Sequence, residues 1–356
     1  MAKVLFISRD YTLHNDGGSI VARRNLKFLK SIGLDVDEFI IPAPSLSTRI
    51  INLLLRQSYG DSYRLHKKLK KYLHCVFDLI FFDGSLYGKY LQMFSYHGFR
   101  TCCFYHNVES SYYSDKYAVT GKLQDKLMIP FIQYNESLST AYSSYVIMLN
   151  QRDSDDLMKT YGRAADFILP TSFKPLEIDI SSYQNENEAP KPYLLFIGSK
   201  FFANYEGLDF LIKEIAPLIK YDIRVVGNVC DFFKNTKLPD NVILEGQVKD
   251  LLPYYTNAEC VIEPIFSGSG LKTKTIEALK YGKYIIGSKE AFEGIPSESV
   301  RDIGCICMTK SDYVDAINTL NCDKIHNHSL LLFNNVYSDT IQIERLKSFL
   351  RDIGII

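Results

Sequence analysis

The 356-residue sequence has no tryptophan, no net charge and no apolar run long enough to cross a bilayer. The missing tryptophan carries no functional message, since tyrosine and phenylalanine are abundant. Lys and Arg number 41, as do Asp and Glu, so no global electrostatic case exists for a nucleic-acid partner. Met1-Ala2-Lys3 leads straight into Val4-Leu5-Phe6-Ile7 and lacks the charged and apolar regions of a signal peptide. Eight cysteines include the close pairs Cys102-Cys103 and Cys305-x-Cys307, neither with Cys-x-x-Cys spacing. Both pairs lie in apolar, strand-like text, so buried thiols and a reducing cytoplasm are expected. No grouping of His, Cys and carboxylates reads as a metal site, so neither metal nor cofactor is expected. No internal repeat is visible.

What is present is the text of a soluble globular chain, 46% apolar and 23% charged, long enough for two domains. Strand-like runs at Val4–Ser8, Val36–Ile41, Asp78–Phe82, Thr101–Tyr105 and Tyr145–Leu149 alternate with helical text. The first helix, Ile20–Ile32, is expected to follow a loop containing Asp16-Gly17-Gly18-Ser19 and to end at Gly33. Residues 171–192, polar and flanked by prolines, read as a linker. The alternation restarts with strands at Tyr193–Ile197, Ile223–Val226, Val242–Leu244, Cys260–Glu263 and Tyr284–Gly287. The expectation is α/β: two Rossmann-like, doubly wound domains, 1–170 and 193–337, with a final helix over 338–356. Ligands of open α/β sheets bind beyond the carboxyl ends of the strands, so an active site would lie in a cleft between such domains.

The most informative segment runs from Phe266 to Ser288. Gly268-Ser269-Gly270-Leu271 opens a helix that carries Lys272, Lys274 and Glu277, ends at Gly282 and precedes a short apolar strand. The first amides of a helix lack internal partners and attract anions, so this turn, with its lysines, suits a phosphate or diphosphate. Glu277, one turn after Thr273, could accept from a pair of ribose hydroxyls. The other reading is a helix packed on a sheet, with an ordinary Gly-Ser-Gly turn and solvated lysines. The residues alone leave both open.

The run Gly268 to Glu277, its Glu-Ala-Leu-x-x-Gly continuation and Glu293-Gly294 resemble the donor-binding signature of GT-B glycosyltransferases, of the large retaining family 4 type. Tyr105-His106-Asn107-Val108-Glu109 resembles the His-Asn-x-Glu element of the N-terminal domain. Phe196-Ile197-Gly198-Ser199, with Asn204 and Gly207, resembles the first strand and loop of the C-terminal domain. Val242 to Val248, with Leu251 and Tyr255, resembles the strand and helix before the donor site.

The resemblance implies a nucleoside diphosphate sugar as donor. Its contacts would be Gly17, Gly18, Ser199, Lys200, Asn204, Gly268, Ser269, Gly270, Leu271, Lys274 and Glu277. His106 and Lys272 would carry catalysis, Lys272 by stabilising the departing diphosphate. Asn107, Glu109 and Glu293 would meet the sugar. The terminal helix would cross back to the first domain. One departure stands out: many relatives keep a first glutamate separated by seven residues from the one matched by Glu277, and that position here is Ser269.

The stretch from Arg49 to Lys71 holds seven basic residues against Asp61 alone, with apolar bulk at Ile50, Ile51 and Leu53–Leu55. It reads either as a solvated helix face or as a contact for an anionic membrane surface. The expectation is therefore a cytoplasmic, membrane-peripheral glycosyltransferase that builds a surface glycan such as lipopolysaccharide or capsule, on a glycan or lipid-linked acceptor, with retention. The rivals are an epimerase of the same fold and a catalytically degenerate GT-B subunit that only binds nucleotide or glycan.

Overall fold

The computed structural model describes residues 1–12, 17–177, 191–267, 271–321, 323 and 325–356. The chain divides into two compact units, Met1–Pro170 with Gln342–Ile356, and Thr171–Ile341.

The first unit is built on strands β1 (Lys3–Arg9), β2 (Asp35–Ile41), β3 (Leu79–Asp83), β4 (Thr101–Tyr105), β5 (Tyr145–Met148) and β6 (Phe167–Ile168). All neighbours are parallel, in the order β2-β1-β3-β4-β5-β6. The connections carry α1 (Gly17–Ser31), α2 (Leu46–Leu54), α3 (Tyr63–Tyr72), α4 (Gly88–Tyr96), α5 (Glu109–Thr120), α6 (Leu123–Tyr142) and α7 (Gln151–Tyr161). Alternate residues of β1 enter opposite cores: Val4 and Phe6 pack in one, Leu5 and Ile7 in the other. A sheet covered on both faces needs such continuous apolar strands, which is why they were legible as runs.

The second unit contains β7 (Tyr193–Ile197), β8 (Asp222–Val226), β9 (Val242–Gly246), β10 (Cys260–Glu263), β11 (Ile285–Gly287) and β12 (Gly304–Ile306), with helices α8 (Phe202–Phe210), α9 (Leu252–Asn257), α10 (Thr273–Lys280), α11 (Ser297–Ile303), α12 (Lys310–Asn318) and α13 (Asn327–Leu332). Its strands are also parallel, in the order β12-β11-β10-β7-β8-β9. This is the doubly wound Rossmann order, with its topological switch between β7 and β10.

The last helix, α14 (Asp339–Asp352), reaches the first unit from Gln342 onward. There Leu346 and Leu350 join the core of Val4 and Phe6, and the Phe349 ring stacks on Phe167 at 4.7 Å.

Differences from the sequence reading are local. The short strands β6 and β12 were not anticipated, because two or three residues give no period to read. Helix α1 starts at Gly17 rather than Ile20, so Gly17 and Gly18 form its first turn instead of a preceding loop. Glycine adds no side chain to a periodic pattern, so the apolar signal began three residues late. The first residues of the expected linker are paired: Phe173 N donates to Tyr337 O, Asp339 N donates to Phe173 O, and Ser172 Oγ donates to Asp339 Oδ1 at 2.9 Å. Residues 178–190 of that linker lie outside the described residues.

Candidate functional site

In the second unit, the loops after β7 and β10 meet at the switch point. Glycine permits their close approach. A Cβ on Gly207 of α8 would lie 2.2 Å from Pro264 O, in the loop after β10. One on Gly227, at φ +109°, would lie 2.2 Å from Gly198 O, in the loop after β7.

Lys274, in the first turn of α10, reaches into this corner. Its Nζ donates to Asn204 Oδ1 at 2.8 Å and to Ile197 O, the last carbonyl of β7, at 3.3 Å. It lies 4.9 Å from the centre of the Phe196 ring. Burial pushes its pKa down to about 8, against the opposing pull of Glu263. Asn204 Nδ2 in turn donates to Ser199 O and Ser199 Oγ at 3.1 and 3.3 Å. The backbone amide of Lys200 donates to Asn228 Oδ1 at 2.7 Å, which turns the loop, and its ammonium lies over Phe232. Ser199, Asn204 and Lys274 are thus brought together at the start of α10, where a helix favours an anion, while the Lys200 side chain turns toward Phe232.

Other expected donor contacts have partners of their own. Lys272, at the N-cap position of α10, pairs with Glu290 Oε1 at 2.7 Å. Glu277 accepts from the Tyr255 hydroxyl at 3.4 Å, and burial raises its carboxyl above the usual range. Tyr255 is itself fixed by stacking on Tyr281 at 4.3 Å. The Leu271 side chain is buried in the core of the unit, leaving only its backbone for a ligand. In the loop after β10, Ser267, which is not among the expected contacts, donates from Oγ to Glu206 Oε2 at 2.6 Å. Glu293 is half-buried after a short turn, its amide donating to Glu290 O. Gly268, Ser269 and Gly270 lie outside the described residues.

The sequence reading missed Glu263. It ends β10, is 1% exposed, and accepts from Thr275 Oγ1 at 2.6 Å through Oε2, while Oε1 has no hydrogen-bond partner. Burial raises its pKa. The Thr275 hydroxyl also faces Ala291 O at 2.9 Å. The single hydroxyl proton of Thr275 is therefore placed between two acceptors, Glu263 Oε2 and Ala291 O. The available signal was a carboxylate closing the apolar run Cys260-Val261-Ile262.

In the first unit, His106, Asn107 and Glu109 follow β4. His106 Nε2 stands 3.1 Å from Asp83 Oδ2, which accepts a hydrogen bond from it in the Nε2–H tautomer, and its buried Nδ1 has no partner. Asp83 ends β3 and is held by Asn25 Nδ2 at 2.7 Å and by Ser8 Oγ at 3.4 Å. The Arg24 guanidinium donates to Asn25 Oδ1 at 2.8 Å, so α1, β3 and the end of β4 form one polar network. Glu109 opens α5; burial raises its carboxyl and Asn107 bonds it. The N–H groups of Glu109 and Ser110 are capped by the buried Glu136 of α6 at 2.7 and 3.2 Å. Glu136 is pushed up to about 7 by burial. Asp83 and Glu136 were not anticipated, because their roles depend on which strands and helices lie side by side. Gly17 and Gly18 stand in the first turn of α1. Among the described residues, no group of His, Cys, Asp or Glu is arranged as metal ligands.

Two Rossmann-like units of six parallel strands are the GT-B fold, and solved GT-B proteins match nearly the whole chain. HepE from Anabaena, in complex with UDP-glucose, has a TM-score of 0.68 at 13% identity, over 99% of this chain and 100% of its own. A glycosyltransferase from Rickettsia africae has a TM-score of 0.65 at 12% identity, over 99% and 98%. Residues 191–323, within the second unit, match the family model of glycosyl transferases, group 1. By sequence, no curated protein matches the chain.

Proposed function

We propose that the protein is a glycosyltransferase that moves a sugar from a nucleoside diphosphate onto a growing surface glycan, with retention. The observation that carries this reading is the convergence of Lys274, Asn204 and Ser199 on the start of α10 at the β7–β10 switch point. It lies within the residues that match group 1 glycosyl transferases.

In this reading the diphosphate meets the first amides of α10 and the Lys274 ammonium. Lys272 leaves Glu290 as negative charge grows on the departing diphosphate, and Glu277 takes the ribose hydroxyls. A transfer with retention needs no protein base: the leaving phosphate accepts the acceptor's proton on the same face. Binding and orientation then carry most of the rate. His106, oriented by Asp83, is assigned to the sugar hydroxyls.

Uracil is the first base to test, since HepE is solved with UDP-glucose. The experiment is a thermal-shift screen of nucleoside diphosphate sugars, followed by donor hydrolysis without acceptor. Stabilisation by one donor and slow release of its nucleoside diphosphate are expected. Stabilisation without any release would favour a catalytically degenerate binding subunit, and no stabilisation by any donor would remove the reading.

A further inference from the structure

The surface of α2 and α3 is not used by the proposed transfer. Helix α2 is turned inside out. The residue it buries is polar Asn52, which donates to Ser58 O. Leu46, Ile50 and Leu54 stand at 74%, 50% and 75% exposure, spaced four apart along one side. Ile51 and Leu55 broaden that row and are also exposed. Packing therefore does not explain the apolar character of this helix.

Eight residues later, α3 is folded in the usual sense: Leu65 and Leu69 are buried. Arg64, Lys67, Lys68, Lys70 and Lys71 are exposed on it, as are Arg49 in α2 and Arg56 just after α2. None of these seven cations makes an ion pair with a carboxylate among the described residues. On a chain of zero net charge they form a field with no internal counterpart.

We propose that α2 and α3 are a docking surface for an anionic lipid bilayer. The apolar row of α2 enters the boundary between headgroups and acyl chains, and the exposed cations meet the acidic headgroups. A large apolar face beside a Lys/Arg-rich one is the composition that lies in such an interface. A second copy of this chain fits less well. A two-fold contact would set the same seven cations against each other. The proposal rests on the first unit alone and is independent of glycosyl transfer.

The lack of tryptophan provides the test. Leu54→Trp places the only indole of the protein on the exposed row. With vesicles of phosphatidylcholine and phosphatidylglycerol, its emission should shift to the blue and be quenched by brominated acyl chains. Phosphatidylcholine alone should do neither. Reversal of Lys67, Lys68 and Lys71 to Glu should weaken vesicle binding by about tenfold or more. Ile50→Ser should weaken it separately, and unchanged thermal unfolding would show that both variants remain folded. Emission that ignores anionic vesicles overturns the proposal. So does a blue shift that grows with protein concentration without lipid, which would mean self-association, or binding that survives both variants.

Discussion

Lys274 Nζ lies 2.8 Å from Asn204 Oδ1, although seventy positions separate them in the chain. The bond ties the first turn of α10 to the first turn of α8 at the carboxyl end of β7. It holds a buried ammonium where an anion would arrive.

That ammonium makes donor binding sensitive to pH. With its pKa near 8, Lys274 loses its charge as pH rises through that value, and affinity for a nucleoside diphosphate sugar should fall. Above it, the loss should approach tenfold per unit until the unprotonated form binds on its own. Lys274→Arg keeps the charge and should flatten the profile. In the ligand-free protein the sign is opposite for stability. Between about 8 and the ordinary lysine value of about 10.4 the unfolded chain binds the extra proton, so this group's contribution to stability rises with pH. Calorimetric titration across this range, with both variants, checks the first claim; denaturant unfolding checks the second.

Lys272 should act on turnover more than on donor affinity. Lys272→Ala is expected to lower kcat by about 100-fold with a small change in donor affinity, because its charge is needed most as the diphosphate departs. Glu290→Gln removes the partner with which a diphosphate must compete, and should strengthen UDP binding severalfold. Steady-state kinetics at saturating donor decide the first. Full turnover in the alanine variant would move the role elsewhere.

Glu277→Gln should weaken UDP binding by about tenfold, the value of a hydrogen bond to a charged acceptor, while thermal unfolding stays the same. The loss should vanish with 2′,3′-dideoxy-UDP, which has no ribose hydroxyls to lose. Calorimetry on the four combinations would separate a ribose contact from a structural one through Tyr255.

Gly227 and Gly246 give a stability contrast. Both have positive φ, +109° and +73°. A Cβ on Gly246 meets nothing within 4 Å, so Gly246→Ala should cost only backbone strain, about 1–2 kcal/mol. A Cβ on Gly227 strikes Gly198 O, so Gly227→Ala should cost about 1–3 kcal/mol more and also disturb donor binding. Denaturant midpoints of the two variants, set beside their UDP affinities, test this.

Much of the candidate site is legible in the sequence because it lies at the ends of regular elements. The apolar runs of β7 and β10 and the helix carrying Lys272, Lys274 and Glu277 all stand in consecutive text. His106 was also readable, since it closes the apolar run Thr101–Tyr105. What could not be read is how these residues are partnered. Lys272 with Glu290, Lys274 with Asn204, and His106 with Asp83 join segments 18, 70 and 23 residues apart.

The sequence by itself determined the strand and helix alternation, because strands buried on both faces must be continuously apolar, and it determined the basic character of 49–71. Only the tertiary structure decided which charges are buried. Glu263 and Glu136 look in the sequence like any solvated carboxylate, and burial under neighbouring elements raises both. It also decided that the apolar residues of α2 face outward. Periodicity identifies a helix with one apolar side, but only the packing of its neighbours determines whether that side is covered.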